Sequence, residues 1–425
     1  MGVRAAAGRS TGVGQLLIER EWTNVSYLSA GIGPLGGVGG VGGVGGVGGV
    51  GGVGGVGGVG GVGGVGGVGG VGGGYDSPLM SDALIRSRDG IVGQWRAPAA
   101  IPDQLDLEKS SNLDRWSPWV RAAIIDAEMV SRLGFTLEDA TMNPRHMAVW
   151  HLEVPAPAGG NAPQPTYKPL ILMARPTEDI FEAQLTLVNN YAELRPDRQT
   201  EILAQIGGGM AFLSSIAQLH PDRTPHTLEL LAAVLRLALF VHLRLKQGLA
   251  CRRPVEYSSQ IQPMIVTPAH GALPSGHATE AFAAALVLWN VMRAETRPGY
   301  DSADWRTQLL RLAARIAINR TVAGVHFPVD SAAGAVLGLT LGQYFVKRCS
   351  GAAGYRAWRF DGTKYPEDTD FIWHHLYDVT TEKLTSMSGT TGYSSEYAAN
   401  DQVIDPQHKS YVLAWLWDKA KAEWT

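Results

Sequence analysis

Residues 274–283 read PSGHATEAFA, and an apolar helix begins at or just before Ala278. Pro is tolerated in a first helical turn and Ser caps free N–H groups, so Pro274 and Ser275 need no functional explanation. Gly276 and His277 need one, because Gly weakens a helix and His forms one poorly. Two further clusters stand at helix ends. LKQGLACRRPVE carries Lys246 seven residues before Arg253, with Pro254 stopping the segment. NRTVAGVHFPVD carries Arg320, His326 and Asp330.

Together these side chains suit a tetrahedral oxyanion. Arg253 and Arg320 offer planar forks of donors and Lys246 a point charge. Ser275 adds a hydroxyl, and the Gly276 N–H lies at a helix N-terminus, where anions are favoured and a missing Cβ allows close approach. Of the two histidines, one can bond to the central atom and the other can move a proton. Asp330, four residues after His326, can accept the other imidazole N–H if the turn is helical. Each residue also has a plain structural reading. Lys246 suits a helix C-terminus, Arg320 could cap the preceding helix, and Asp330 suits a first turn. Arg252 is read as solvent-facing. Nothing structural requires all of them in this order.

The elements that must position these residues are helical. The spacing predicts helices at 116–133, 178–195, 197–218, 226–249, 276–294, 303–322 and 328–348, with loops at 154–169 and 252–274. Strand patterns are scarce, so the fold class expected is all-α, a helical bundle spanning 80–350 with its core motifs in 226–348. The tail, 351–425, reads as mostly irregular and packed on the bundle, with a short helix near 410–421. Residues 36–74 are an almost perfect Gly-Gly-Val repeat. Two Gly in each triplet and no Pro argue against collagen and for disorder over 1–79. Met80, just beyond the tract, is an alternative start.

Composition narrows the partners. The 425 residues are 45% hydrophobic with a formal net charge of −3, which gives no global basic field for nucleic acid. Cys251 and Cys349 cannot build a disulfide scaffold and read as buried small apolar residues. The N-terminus lacks a sustained apolar signal core. Residues 228–245 carry Glu229, Arg236, His242 and Arg244, which suits a buried helix better than a membrane span. The localisation expected by default is cytoplasmic. The aromatic-rich tail YVLAWLWDKAKAEW needs cover, which suggests a homodimer or a tail wrapped on its own bundle.

The three clusters resemble the signature KxxxxxxRP…PSGH…SRxxxxxHxxxD. That signature belongs to the superfamily joining phosphatidic acid phosphatase type 2 enzymes, class A acid phosphatases and vanadium-dependent haloperoxidases. The resemblance is clear over 226–348, extends weakly to about 113, and looks closest to bacterial vanadium haloperoxidase-like proteins. Asn319 replaces the motif's Ser. The resemblance implies a helical bundle with the site at one end. Lys246, Arg253, Ser275, Gly276 and Arg320 would hold the oxyanion, His326 would bond to phosphorus or vanadium, and His277 would be the acid–base group. It implies vanadate as cofactor, with hydrogen peroxide and halide as reactants, if the chain is a haloperoxidase. It implies a phosphoester substrate and no cofactor if the chain is a phosphatase.

Three features favour the haloperoxidase: no membrane span, a long helical N-terminal half, and His270 seven residues before His277. Brominating members resemble this chain in carrying a second histidine there, which points to bromide or iodide; otherwise His270 is a solvated loop residue. A phosphatase working through a phosphohistidine is the alternative, and a non-catalytic oxyanion binder is the third reading. A metal site built from His270, His277 and His326 would lack the local ligand pairs of zinc sites and would face repulsion from the nearby cations.

Overall fold

The computed structural model describes residues 78–100, 103–137, 146–155, 162, 164–207, 209–295, 299–352, 354–390 and 392–425. The Gly-Gly-Val tract, with the disorder expected of it, lies outside the described residues. In chain order the main elements begin with helices α1 (Pro78–Val92) and α2 (Pro118–Val130). Strands β1 (Leu133–Leu137), β2 (His146–Glu153) and β3 (Thr166–Ala174) follow, then α3 (Glu178–Tyr191), α4 (Arg195–Ala204) and α5 (Gly209–Ala217). Next come α6 (Pro225–Leu249), a loop with a one-turn helix at Pro254–Tyr257, and helices α7 (Gly276–Met292), α8 (Ala303–Val322) and α9 (Pro328–Ser350). The tail contributes strands β4 (Trp358–Asp361) and β5 (Ser394–Glu396) and helix α10 (Tyr411–Lys421).

The centre of the bundle is α7. All but one of its residues are buried, and α6, α8 and α9 surround it. Its alanine-rich sequence makes this possible, since small side chains let three neighbours approach at once. The closest neighbour is α9. A Cβ on Gly334 would sit 2.6 Å from the Ser275 carbonyl oxygen, and one on Gly338 would be driven into that of Thr279. Contacts that advance four residues at a time on both helices mean that α7 and α9 run parallel. Their N-termini therefore meet at one end of the bundle. The C-terminal ends of α6 and α8 arrive at that same end, because each is joined to the next helix of the parallel pair by a loop.

Charges that argued against a membrane span have partners inside the bundle. Glu229 accepts from Arg121 of α2 at 2.8 and 2.9 Å, and Arg236 donates to Asp126 at 2.6 Å. The start of α6 is capped from the far end of the chain, where the Glu423 carboxylate accepts the His226 N–H at 2.7 Å and the Thr227 N–H at 2.8 Å. The tail aromatics Trp415, Trp417 and Trp424 are buried on this chain's own bundle, so they give no reason for a second copy.

The all-α expectation needs correcting. The fold is mainly helical, but β1–β5 form one mixed sheet in the order β1-β2-β3-β4-β5, antiparallel except for the parallel β3–β4 pair. Residues 166–169, expected in a loop, belong to β3, and the tail contains β4 and β5. Pro169, a residue that disfavours a central strand, is accommodated beside a register shift between Val149 and Trp150, where the ladder steps from Val149–Ile171 to Trp150–Pro169. The apolar run Leu170–Ala174 is buried on both faces, so it lacks the alternation that marks a half-exposed strand. Helix bounds otherwise fall close to expectation, except that 178–218 breaks into three helices rather than two.

Candidate active site

The parallel helix pair brings two of the three motif clusters together directly. The Ser275 N–H donates to the Asp330 carbonyl at 2.9 Å, and the Ser275 hydroxyl accepts from the Ala278 N–H at 3.4 Å as the N-cap of α7. Gly276 is closely backed: a Cβ there would stand 3.1 Å from the ring of His242, which reaches in from α6, and would crowd it. His242 is itself held by Glu280 of α7 at 3.0 Å. The first turn of α7 is thus pressed against α6, with His277 one residue on and 5% exposed.

At the start of α9, Asp330 does two jobs. Its Oδ2 accepts the Phe327 N–H at 2.9 Å, capping the helix, and lies 3.0 Å from His326 Nδ1. A further first-turn amide, the buried Val329 N–H, donates to Gln184 of α3 at 3.1 Å. Both partners follow from the unmet N–H groups of a helix start.

Arg253 links the remaining cluster to these. Its Nη1 donates to the Val325 carbonyl and to His326 Nε2, each at 2.9 Å. Its Nε donates to the His270 carbonyl and its Nη2 to His270 Nδ1, each at 3.0 Å. A guanidinium can only donate. His326 Nε2 is therefore the acceptor nitrogen, and the ring's proton sits on Nδ1, donated to Asp330. His270 Nδ1 also lies 3.1 Å from the Gly271 carbonyl, so it accepts from Arg253 when unprotonated and donates to Gly271 when it carries the proton. His270 is half-buried and bonded through both backbone and ring, so it is not a solvated loop residue.

Lys246 Nζ donates to the carbonyls of Gly271 and Ala272 at 3.0 and 3.1 Å, beside His270. Arg320 lies in the last turn of α8, six residues before His326, its own carbonyl accepting the Val325 N–H at 3.2 Å. Its Nη2 donates to Gln205 Oε1 at 2.9 Å and to the Ile202 carbonyl at 3.2 Å, Ile202 lying in α4 and Gln205 capping its C-terminus.

The electrostatics follow from this arrangement. Burial, then the charges of Arg253, Lys246, His277 and His270, hold the His326 imidazole well below its ordinary range. Burial pushes the Asp330 carboxyl up to about 7, against the Phe327 N–H and the two cations. A neutral imidazole with its Nε2 lone pair directed at Arg253 can act as a nucleophile or ligand. Among the described residues, no group of three or more His, Cys, Asp or Glu side chains is suited to holding a metal ion. Both cysteines are buried and free, and burial raises both thiols.

Residues 227–351 match the PAP2 superfamily.

The match is to that family's model and covers the motif helices α6 to α9 with the loops between them. No curated protein matches the chain. Members of the PAP2 superfamily are usually phosphoesterases or haloperoxidases, and the match supports an enzymatic role of that broad kind for this chain. No described helix is long and apolar enough to cross a membrane. Sequence reasoning did not find the residues from outside the matched region that touch the motifs: Gln184, Gln205 and the Ile202 carbonyl. A lone Gln on a helix has no spacing signal. His242 is inside the region, and its contact with Gly276 is visible only when the helices are packed.

Proposed function

We propose that this chain is a vanadium-dependent haloperoxidase acting on bromide or iodide. The observation that carries the reading is the Arg253 guanidinium, bonded at once to His326 Nε2 and His270 Nδ1. The histidine that the family resemblance connects with bromination thereby shares a cation with the histidine that would hold the oxyanion.

The donor set fits vanadate. A tetrahedral anion would bring negative charge to a region where Lys246 and Arg253 already depress His326. His326 Nε2 would hold the vanadium, and Lys246, Arg253, Ser275, the Gly276 N–H and Arg320 would hold the oxygens. When bound, vanadate supplies a Lewis-acidic centre at which hydrogen peroxide oxidises halide to a hypohalous species. Asp330 keeps the His326 proton on Nδ1 and so leaves Nε2 unprotonated. His277, at the first turn of α7, moves a proton to or from the incoming peroxide. His270 biases the halide through its bond to Arg253.

Phosphomonoester hydrolysis is the second reading, favoured by that same unprotonated Nε2. Its lone pair would form the N–P bond as the P–O bond to the leaving group breaks, with the proton for the leaving oxygen coming from His277. Water would then attack phosphorus and return a proton to His277 as the N–P bond breaks. The two readings separate in one pair of assays: bromination of a dye with peroxide and added vanadate, and hydrolysis of a generic phosphomonoester. The haloperoxidase reading expects vanadate to activate the first; the phosphatase reading expects it to inhibit the second. Oxyanion binding with neither activity would leave the non-catalytic binder.

A further inference from the structure

The Arg320 side chain is held by a network that begins at the C-terminal end of α4, which packs directly on α8. Gln205 Oε1 accepts from Arg320 Nη2 at 2.9 Å and from Asn319 Nδ2 at 3.0 Å, which uses both lone pairs of the amide oxygen. The amide's other end is fixed as well, because Gln205 Nε2 donates to Glu201 Oε1 at 3.0 Å. Rotating the amide would set its NH₂ against Arg320 and Asn319 and its oxygen against a carboxylate, so only one orientation is compatible with all three neighbours. Glu201 also accepts from Asn319 at 3.0 Å and from Arg315 at 2.8 Å. Burial raises its carboxyl, but Arg315, Asn319 and Arg198 outweigh burial and hold it below its usual range. Asn319 is completed by Arg198, which donates to its Oδ1 at 3.2 Å. Gln205 and Asn319 are fully buried.

We infer that Gln205 is a positioning residue that sets the direction of Arg320, with Asn319 and Glu201 fixing Gln205, and that oxyanion affinity at the active site depends on this chain of contacts. The inference rests on the proposed oxyanion site and adds a group from outside the PAP2 match to it. It also gives a role to Asn319, where the superfamily signature has Ser. A Ser hydroxyl is too short to span to both Gln205 and Glu201 from the same backbone position, whereas the Asn amide reaches both.

The test is a double-mutant cycle on the full chain, with affinity for orthovanadate and for inorganic phosphate measured by calorimetry and folding followed by thermal melting. Gln205→Met keeps the volume and removes the acceptor. It should weaken anion binding about 10-fold or more, the usual scale for an orienting partner. In an Arg320→Ala background the same change should have almost no further effect, because the residue that Gln205 orients is gone. A merely structural role would give the same fold-loss in both backgrounds, and that result overturns the inference. So does an unchanged affinity in Gln205→Met when Arg320→Ala alone weakens binding. If Gln205→Met melts early, Asn319→Ser provides the same cycle by withdrawing the donor that pins the Gln205 oxygen. Wild-type protein that binds neither anion overturns the oxyanion reading itself, and this inference with it.

Discussion

His326 is the residue on which the proposed chemistry turns. His326→Ala should abolish both oxyanion binding and turnover, measured by calorimetry and by dye bromination; bromination at the wild-type rate would remove the assignment. His277→Ala should keep the anion and lose roughly 10²–10⁴-fold in rate, the usual worth of general acid–base help. Equal rates in the two proteins would end its proton-transfer role. His270→Ala should change the ratio of bromide to iodide oxidation, because it removes one acceptor of the Arg253 fork; an unaltered ratio would return His270 to a scaffold role. The motif spacing made Lys246, Arg253, Ser275, Gly276, His277, Arg320, His326 and Asp330 visible in the sequence, since each stands at a helix end that periodicity can find. Their partners were not visible. Gln184, Gln205 and His242 act through tertiary contacts, and such contacts leave no local pattern.

At the scale of elements, the site depends on α7 and α9 running side by side. Gly334 and Gly338 set their separation, with no room for a side chain against the Ser275 and Thr279 carbonyls. Gly338→Val should therefore push the helices apart. Overpacking of this kind costs about 1–3 kcal/mol, to be read from chemical denaturation. It should also weaken anion binding, because it separates Ser275 from Asp330. Full affinity in a destabilised Gly338→Val protein would show that the site tolerates a wider gap. The helices were legible because their apolar residues recur at helical spacing. The sheet was not, because β3 is buried on both faces and contains a proline that is tolerated only at an irregular register. A continuous apolar run of that length looks the same whether it becomes a helix or a strand.

Across the whole molecule, three buried titratable groups set a pH dependence of stability. His326 is held well below 6.5, and His151 is lowered to about 3, first by burial and then by Arg348. Below pH 6.5 the unfolded chain binds protons on both rings that the folded protein refuses, so stability falls as pH drops towards about 3. Asp330 acts in the opposite sense. Raised from 3.8 to about 7, it takes its proton more readily in the folded state across that window. Two histidines against one carboxyl leave a net loss on acidification. Denaturant midpoints measured from neutral pH downward should decline, and His151→Phe should flatten the decline; a midpoint that rises with acid would mean that Asp330 dominates.

The roof over Arg320 comes from α4 and its C-cap Gln205, and one amide of the α9 start is met by Gln184 of α3. Both helices precede residue 227. A fragment trimmed to the family boundaries would keep every signature residue while stripping the acceptors from Arg320 and the Val329 amide. Swapping the region 227–351 for that of another superfamily member would likewise graft a motif onto foreign supports. Transplants made with α3 and α4 included should therefore outperform those cut at the motif's own edges.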